Sequence, residues 1–437
     1  MSRVIVRFAP SPTGFLHIGG ARTAITNIMF AKHHNGTGIL RIDDTDLARS
    51  EQKYEKEIMD SLTWLGLVFQ ETYYQSRRTD IYESYIDQLM DKGMVYTDKG
   101  EKGEALVFKA DKKDLSFHDL IRGKISMEAS EVTDIVIRKS DGTPTYIFAS
   151  TVDDIDLGIT HIIRGEDHIT NTFKQILLFE AIRPAQLPIF THLPLIHSED
   201  GTRLSKRHGA TSVTEFRKMG YLSEALRNYL LLLGWSPGSD RELIDFEEAC
   251  RLFQIENVKK KASQFSYEKA AWMNGQYIKQ MPAEELVRLC IDIGMGEIKK
   301  YSQDNKEKLY KAFDLAKSRP RLLMHFDKAV AYFFEPEIAI SEALLKKHLS
   351  QNDTFKNSIA QIRNAIKDVS EFQSHSIEAC LRELSIDLGV KAKQILIPLR
   401  VILTGQDVTP GIFDVMELMG KELCIKRILD FQACSKK

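Results

Sequence analysis

Cysteine is scarce in this chain, and its placement excludes two large classes of protein. The 437 residues include five cysteines, at positions 250, 290, 380, 424 and 434, with no Cys-x-x-Cys pair and none before Cys250. An odd count at wide spacing fits reduced, buried thiols of a cytoplasmic protein and argues against a disulfide scaffold or a thiolate zinc site. Membrane-length apolar runs are missing too. A stretch such as Tyr229 to Leu233 is far shorter than the ~20 residues a spanning helix needs. The start, MSRVIVRFAPSP, lacks the apolar core of a secretory leader, so no membrane partner is expected. Neither charge sign is in excess, since 60 Lys and Arg against 61 Asp and Glu leave a formal charge of -1. No global field therefore points to a nucleic-acid partner, although a local patch would suffice for one. The lysine-bearing phosphate loop, the dinucleotide GxGxxG, internal repeats, heptads and low-complexity linkers are all absent.

What is present begins at Arg7. Val4, Ile5, Val6 and Phe8 make an apolar run of strand length, and Pro10 and Pro12 then force the chain out of any sheet. Ala21, Ala24, Ile25, Ile28 and Met29 recur at helical spacing up to Asn35-Gly36, and Gly38 to Ile42 looks like the next strand. In this β-α-β unit Gly14, Gly19 and Gly20 let backbone approach a ligand where the helix begins, the place best suited to an anionic group. A glycine turn before a helix is equally compatible with tight packing alone. His17 adds a donor for a phosphate oxygen. Further on, Ser50 is expected to cap a helix carrying Tyr54, Ile58, Leu62 and Leu65, and a second helix is expected from Thr79 to about Gly93. Tyr73-Tyr74-Gln75-Ser76 reads as the connection between them.

From about Val95 to Asp141 the pattern changes to short β-like runs, Ala105 to Phe108 and Ile135 to Arg138, separated by charged turns. An apolar strand follows at Ile159 to Ile163 and runs directly into Arg164-Gly165-Glu166-Asp167-His168. Polar residues at the carboxyl end of a buried parallel strand sit where open α/β sheets bind ligands. Arg164 has two readings there: a ligand contact, or a salt-bridge partner of Asp153 or Glu166. The loop Asp200 to Gly209 places Arg203, Lys206 and Arg207 close together between glycines, which suits either a mobile phosphate-closing loop or a solvated basic turn. After Ser212 strand signals largely vanish and helical stripes take over. Lys259-Lys260-Lys261 and the group Lys317, Arg319, Arg321 and Lys328 are the basic patches of that region. At this length the chain should divide into three or more units.

The stretch Arg7 to Asp46, with His17-Ile18-Gly19-Gly20, closely resembles the signature of bacterial-type glutamyl-tRNA synthetases of class I. Leu204-Ser205-Lys206-Arg207 resembles that family's second motif, with Arg203 standing where its first lysine is usual. The resemblance is strong over the first 235 residues and weaker beyond. It implies an α/β Rossmann-like catalytic domain (1–83 and 142–197) with an α+β insertion that receives the tRNA acceptor end (84–141). A helical stem-contact domain (198–297) holding the 203–207 loop and an all-α anticodon-binding region (298–437) would follow. The implied reaction activates L-glutamate with ATP and Mg2+, in the presence of tRNA, and transfers it to tRNA-Glu or also tRNA-Gln. Carried over position by position, His17 and Lys206 are the catalytic phosphate contacts. Gly19, Gly20, Arg203 and Ser205 join them for ATP. Arg7, Ala9, Ser11, Asp43, Tyr146 and Arg164 hold glutamate, with Asp43 one methylene shorter than the family's glutamate. A monomer is expected. Many members bind zinc in the insertion, but no cysteine precedes Cys250 here. Elemental analysis of the purified protein is therefore expected to find no stoichiometric zinc, and about one tightly bound equivalent would overturn that expectation.

Overall fold

The apolar run near the N-terminus forms strand β1 (Ile5–Phe8), and the chain leaves the sheet at the prolines. The computed structural model describes residues 3–46, 50–100, 103–184, 187–205, 209–350 and 352–434. Helix α1 (Ile18–His33) buries Ala21, Ala24, Ile25, Ile28 and Met29, the stripe read from the sequence. Its end shows a division of labour between two residues. Asn35 takes the left-handed conformation at φ 51°, while Gly36 is required by close approach, since a Cβ there would lie 2.4 Å from the Val4 carbonyl oxygen. Strand β2 (Thr37–Ile42) is buried throughout and pairs in parallel with β1.

Two local expectations need correction. Helix α2 (Gln52–Trp64) is preceded by Glu51 as N-cap, without a side-chain cap bond, so Ser50 does not cap it. Tyr73 and Tyr74 are not simply a connection but end strand β3 (Glu71–Tyr74), which lies parallel to β2. Its exposed, short sequence carries none of the apolar alternation that signals a strand. Helix α3 (Thr79–Asp91) follows and stops at Gly93, whose φ of 68° favours glycine.

The segment 84–141 divides between two sheets. Strands β4 (Val95–Gly100), β5 (Gly103–Phe108) and β8 (Ile135–Arg138) form a three-stranded antiparallel sheet. The hairpin of β6 (Leu115–Asp119) and β7 (Gly123–Met127) instead extends the main sheet. Helix α4 (Tyr146–Asp156), strand β9 (His161–Gly165), helix α5 (Ile169–Ile182) and strand β10 (Ile189–Leu193) complete it. The seven-stranded order is β3-β2-β1-β9-β10-β6-β7, parallel except for the terminal hairpin. Phe148 and Val152 of α4 and Phe173 and Leu178 of α5 share one buried cluster with Phe108, Ile135 and Ile137, so the small sheet and the crossover helices share a core.

Two compact units emerge, Met1–Lys218 with Leu222–Met273, and Met219–Tyr221 with Asn274–Lys437. The second is helical, including Lys306–Ala316, Asp353–Asp368 and Lys393–Thr404, with Phe313 and Phe326 stacked 4.3 Å apart in its interior. Gly36→Ala should force Val4 away from the α1–β2 turn and lower stability by about 1–3 kcal/mol, the usual cost of overpacking. Thermal unfolding checks this, and an unshifted midpoint would contradict the close approach.

Candidate active site

In the main sheet the chain order reverses between β1 and β9, so the strand ends diverge there and leave a crevice. That crevice is a cavity of about 660 Å3. Of the residues expected in the site, Arg7, Ala9, Ser11, His17, Gly19, Gly20, Tyr146, Arg164, Arg203 and Ser205 line it. Asp43 is not in the lining, and Lys206 lies outside the described residues.

His17 is the N-cap of α1. Its Nδ1 accepts the Gly19 amide hydrogen at 3.1 Å, so the neutral ring carries its proton on Nε2. Burial, reinforced by the positive charge of Arg203 and opposed by Glu215, holds its pKa below the ordinary value. Here the positive end of a 16-residue helix and a neutral N–H donor come together, a setting suited to phosphate oxygens. The segment after the basic loop is strapped to this turn, with Ile18 N donating to Thr211 O and Val213 N to Leu16 O, both at 2.9 Å. Glu57 ties the same pieces together, since Leu16 N donates to its carboxylate at 2.8 Å and Thr214 Oγ1 donates to the other oxygen. The glycines play different parts. A Cβ on Gly14 would meet nothing within 4 Å, whereas one on Gly20 would press on Leu16 at 3.2 Å.

Arg7 and Arg164 enter the cavity from β1 and β9. Arg7 is held from behind by Asp154, with Nε 3.0 Å from Oδ1 and Nη2 3.4 Å from Oδ2. Arg164 is 6% exposed, and burial lowers its pKa only to about 10, so it stays charged at neutral pH. Its Nε donates to His192 Nε2 at 3.3 Å and its Nη2 to Thr172 Oγ1 at 2.7 Å. Neither carboxylate of the salt-bridge reading is its hydrogen-bond partner. Asp153 receives Arg78, Gln75 and Tyr82, and Glu166 receives Arg122. Arg164 Nη1 is buried with no partner at hydrogen-bonding distance, and Tyr146 stands close enough to the guanidinium to favour its charge.

Asp43 faces the other way. Arg41 grips both of its oxygens, Nε at 2.7 Å from Oδ1 and Nη2 at 3.2 Å from Oδ2. Arg41 Nη1 also reaches Asp154 Oδ1 at 2.7 Å. The shorter side chain thus ends on its β2 neighbour rather than at the cavity wall. Sequence reasoning assigned no role to Arg22, Asp167 and His168, which also line the cavity. Asp167 and His168 follow β9 in the charged turn that marked the strand's end, whereas Arg22 sat inside an apolar stripe with nothing to set it apart. Tyr146 Oη lies 3.3 Å from His168 Nδ1. A hollow of about 760 Å3 in the helical unit, among Lys300, Tyr301, Lys308, Phe334 and Lys421, has no strand end in its lining, so the chemistry is placed in the sheet crevice.

A parallel sheet with a ligand crevice at its switch point and a glycine turn heading the first helix defines a Rossmann-type catalytic domain of the class I synthetase kind. The family described as tRNA synthetases class I (E and Q), catalytic domain, matches residues 3–106 and 99–272, and an anticodon binding domain matches 283–431. The chain belongs to the glutamyl-tRNA synthetase family of class I. It is 38% identical to glutamate–tRNA ligase 2 of Caldicellulosiruptor saccharolyticus, covering 97% of this chain and 98% of that one. The glutamate–tRNA ligase of Thermodesulfovibrio yellowstonii is likewise 38% identical, with 97% and 98% covered. A solved glutamate–tRNA ligase from Elizabethkingia meningosepticum, in complex with its amino acid, superposes with a TM-score of 0.88 at 31% identity over 99% of both chains.

The lowered pKa of His17 has a definite sign. The neutral ring is favoured in the fold, so the cap's contribution is present above the unfolded value and is lost as pH falls through the folded one. The 15N titration of the His17 ring is expected to centre below about 6.5, with Gly19 amide protection falling as the ring protonates. A midpoint at or above that value would show that Nδ1 does not hold the cap.

Proposed function

We propose that this chain is a glutamate–tRNA ligase, joining L-glutamate to ATP as glutamyl-adenylate with release of pyrophosphate, then passing the glutamyl group to the terminal adenosine of tRNA. The substrate's own carboxylate attacks the α-phosphate, so no side-chain nucleophile is required; the protein's work is alignment and stabilisation of charge. His17, with Nε2–H at the positive end of helix α1, is the proposed phosphate contact, joined by Lys206 from the loop beyond the described residues. Magnesium would accompany ATP. Arg203 and Ser205, which line the cavity from that loop, are proposed to close over the phosphates.

The observation that carries the substrate assignment is the unpartnered Nη1 of Arg164 in a buried, charged guanidinium at the cavity wall. A buried guanidinium charge whose two Nη1 N–H groups are unused is balanced by a carboxylate and not by the neutral amide of glutamine. Arg7, already oriented by Asp154, supplies a second cation beside it. Segment 84–141 is proposed to receive the tRNA acceptor end, and the helical region matched as anticodon binding to read the other end of the tRNA. That match also favours a tRNA-charging enzyme over a paralogue limited to the catalytic half. Whether tRNA-Gln is a second substrate is decided by glutamylation of purified tRNA-Glu and tRNA-Gln transcripts.

Arg164→Ala removes one partner of a desolvated charge pair, a loss of about 2–5 kcal/mol, or roughly thirty-fold to several thousand-fold in kcat/KM for glutamate. Affinity for ATP should be nearly unchanged, and Arg164→Lys should recover only part of the loss because a point charge cannot reproduce the fork. Pyrophosphate exchange with tRNA present measures both. A destabilised protein with normal glutamate kinetics would return Arg164 to a structural role.

A further inference from the structure

We infer that Asp119 and His192 form a positioning pair that sets the orientation of Arg164 and so the affinity for glutamate. Both are fully buried side chains outside the cavity lining. Asp119 ends β6, the strand that adds the hairpin of the 84–141 segment to the main sheet beside β10, and His192 lies on β10. Asp119 Oδ1 accepts the amide hydrogens of Ile121 at 2.9 Å and Arg122 at 2.8 Å, which leaves Oδ2 for His192 Nδ1 at 2.8 Å. A carboxylate can only accept, so the imidazole proton must sit on Nδ1 and Nε2 must be a lone pair. That lone pair faces Arg164 Nε at 3.3 Å and Thr172 Oγ1 at 3.0 Å.

The opposite tautomer, or a doubly protonated ring, would turn an N–H towards the Arg164 guanidinium. Burial, together with the positive charges of Arg164 and Arg122, disfavours the protonated ring, and the Asp119 carboxylate opposes them. The titratable neighbours of Arg164 on this side include Tyr146 and His168, the latter in the turn before α5, whose pKa burial and Arg164 push down to about 4. The chain Asp119–His192–Arg164 thus holds the guanidinium at Nε, while Nη1 makes no hydrogen bond. Thr172, accepting Nη2, completes the clamp.

This inference rests on the reading of Arg164 as the glutamate contact, and the experiment separates the two. Asp119→Asn preserves shape, but once its oxygen serves the two backbone amides its NH2 faces His192 Nδ1 and drives the ring proton to Nε2, against Arg164. Glutamate KM is then expected to rise roughly ten- to hundred-fold, the scale of a lost hydrogen bond to a charged group, with ATP KM unchanged. The double variant Asp119→Asn with His192→Gln should recover part of the loss, because an amide oxygen accepts from Arg164 Nε and has no tautomer to switch. In the wild-type protein, 15N spectroscopy of the histidine rings should show His192 neutral with its proton on Nδ1. An Nε2–H ring, or a folded Asp119→Asn protein with normal glutamate KM while Arg164→Ala is impaired, overturns the positioning role. If Arg164→Ala is itself unimpaired, the substrate reading fails first. Should Asp119→Asn not fold, the wild-type tautomer decides.

Discussion

A buried lattice of guanidinium and carboxylate groups holds the catalytic unit in register. Arg7 on β1, Arg41 on β2 and Arg78 ahead of α3 meet Asp43 after β2 and Asp153 and Asp154 on α4, at side-chain exposures of 10% or less. Charges this deep are tolerated only when each is matched and its remaining hydrogen-bonding positions are filled, since each unpaired ion would cost several kcal/mol. Matching them fixes distance as well as energy. Asp154 bridges Arg7 and Arg41, which pulls two neighbouring strands and the crossover helix to one point. Asp153 gathers Arg78, Gln75 and Tyr82 at the next position of α4. Consecutive aspartates on one helix therefore join the half of the sheet that precedes the inserted segment to the half that follows it.

This lattice also prepares the site. With Nε and Nη2 of Arg7 committed to Asp154, the guanidinium that lines the cavity is already oriented before any ligand arrives. The same logic governs Arg164, whose edges are taken by a neutral histidine and a threonine rather than by a carboxylate. A carboxylate partner would cancel its charge; neutral acceptors hold the fork in place and leave the charge for a ligand. Arg7 and Arg164 are thus ordered by different means, the first by a carboxylate and the second by neutral groups.

Periodicity located β1, α1, β2, α3 and the strand end at Arg164, because those elements bury one face and their apolar spacing records it. It could not find β3, whose Glu71-Thr72-Tyr73-Tyr74 is a half-exposed edge, nor the return of Leu115–Met127 to the main sheet, which depends on pairing with a strand about 70 residues later. The site shows the same division. His17 and the residues of β1 and β9 stand in contiguous motifs and were legible. Asp43 was legible as an acid but not as a partner of Arg41. Asp119 and His192 are 73 residues apart and carry no local pattern; only the sheet brings them together.

The near-neutral balance of the whole chain conceals a strongly uneven interior. Arg7, Arg22, Arg164 and Arg203 line the crevice, and among the described residues its only carboxylate is Asp167. Asp167 in turn lies 3.6 Å from Arg203. The local excess is therefore positive where a substrate bearing two carboxylates and another bearing three phosphates would meet. Low-dielectric walls strengthen such a field, and fixed guanidiniums need not reorganise as charge moves during reaction. Further carboxylates sit one layer back, in Asp43, Asp153 and Asp154, of which Asp154 orders Arg7 from outside the crevice lining. A net charge of -1 summed over 437 residues is silent about this arrangement, because what matters is the separation of the two signs by the width of a side chain.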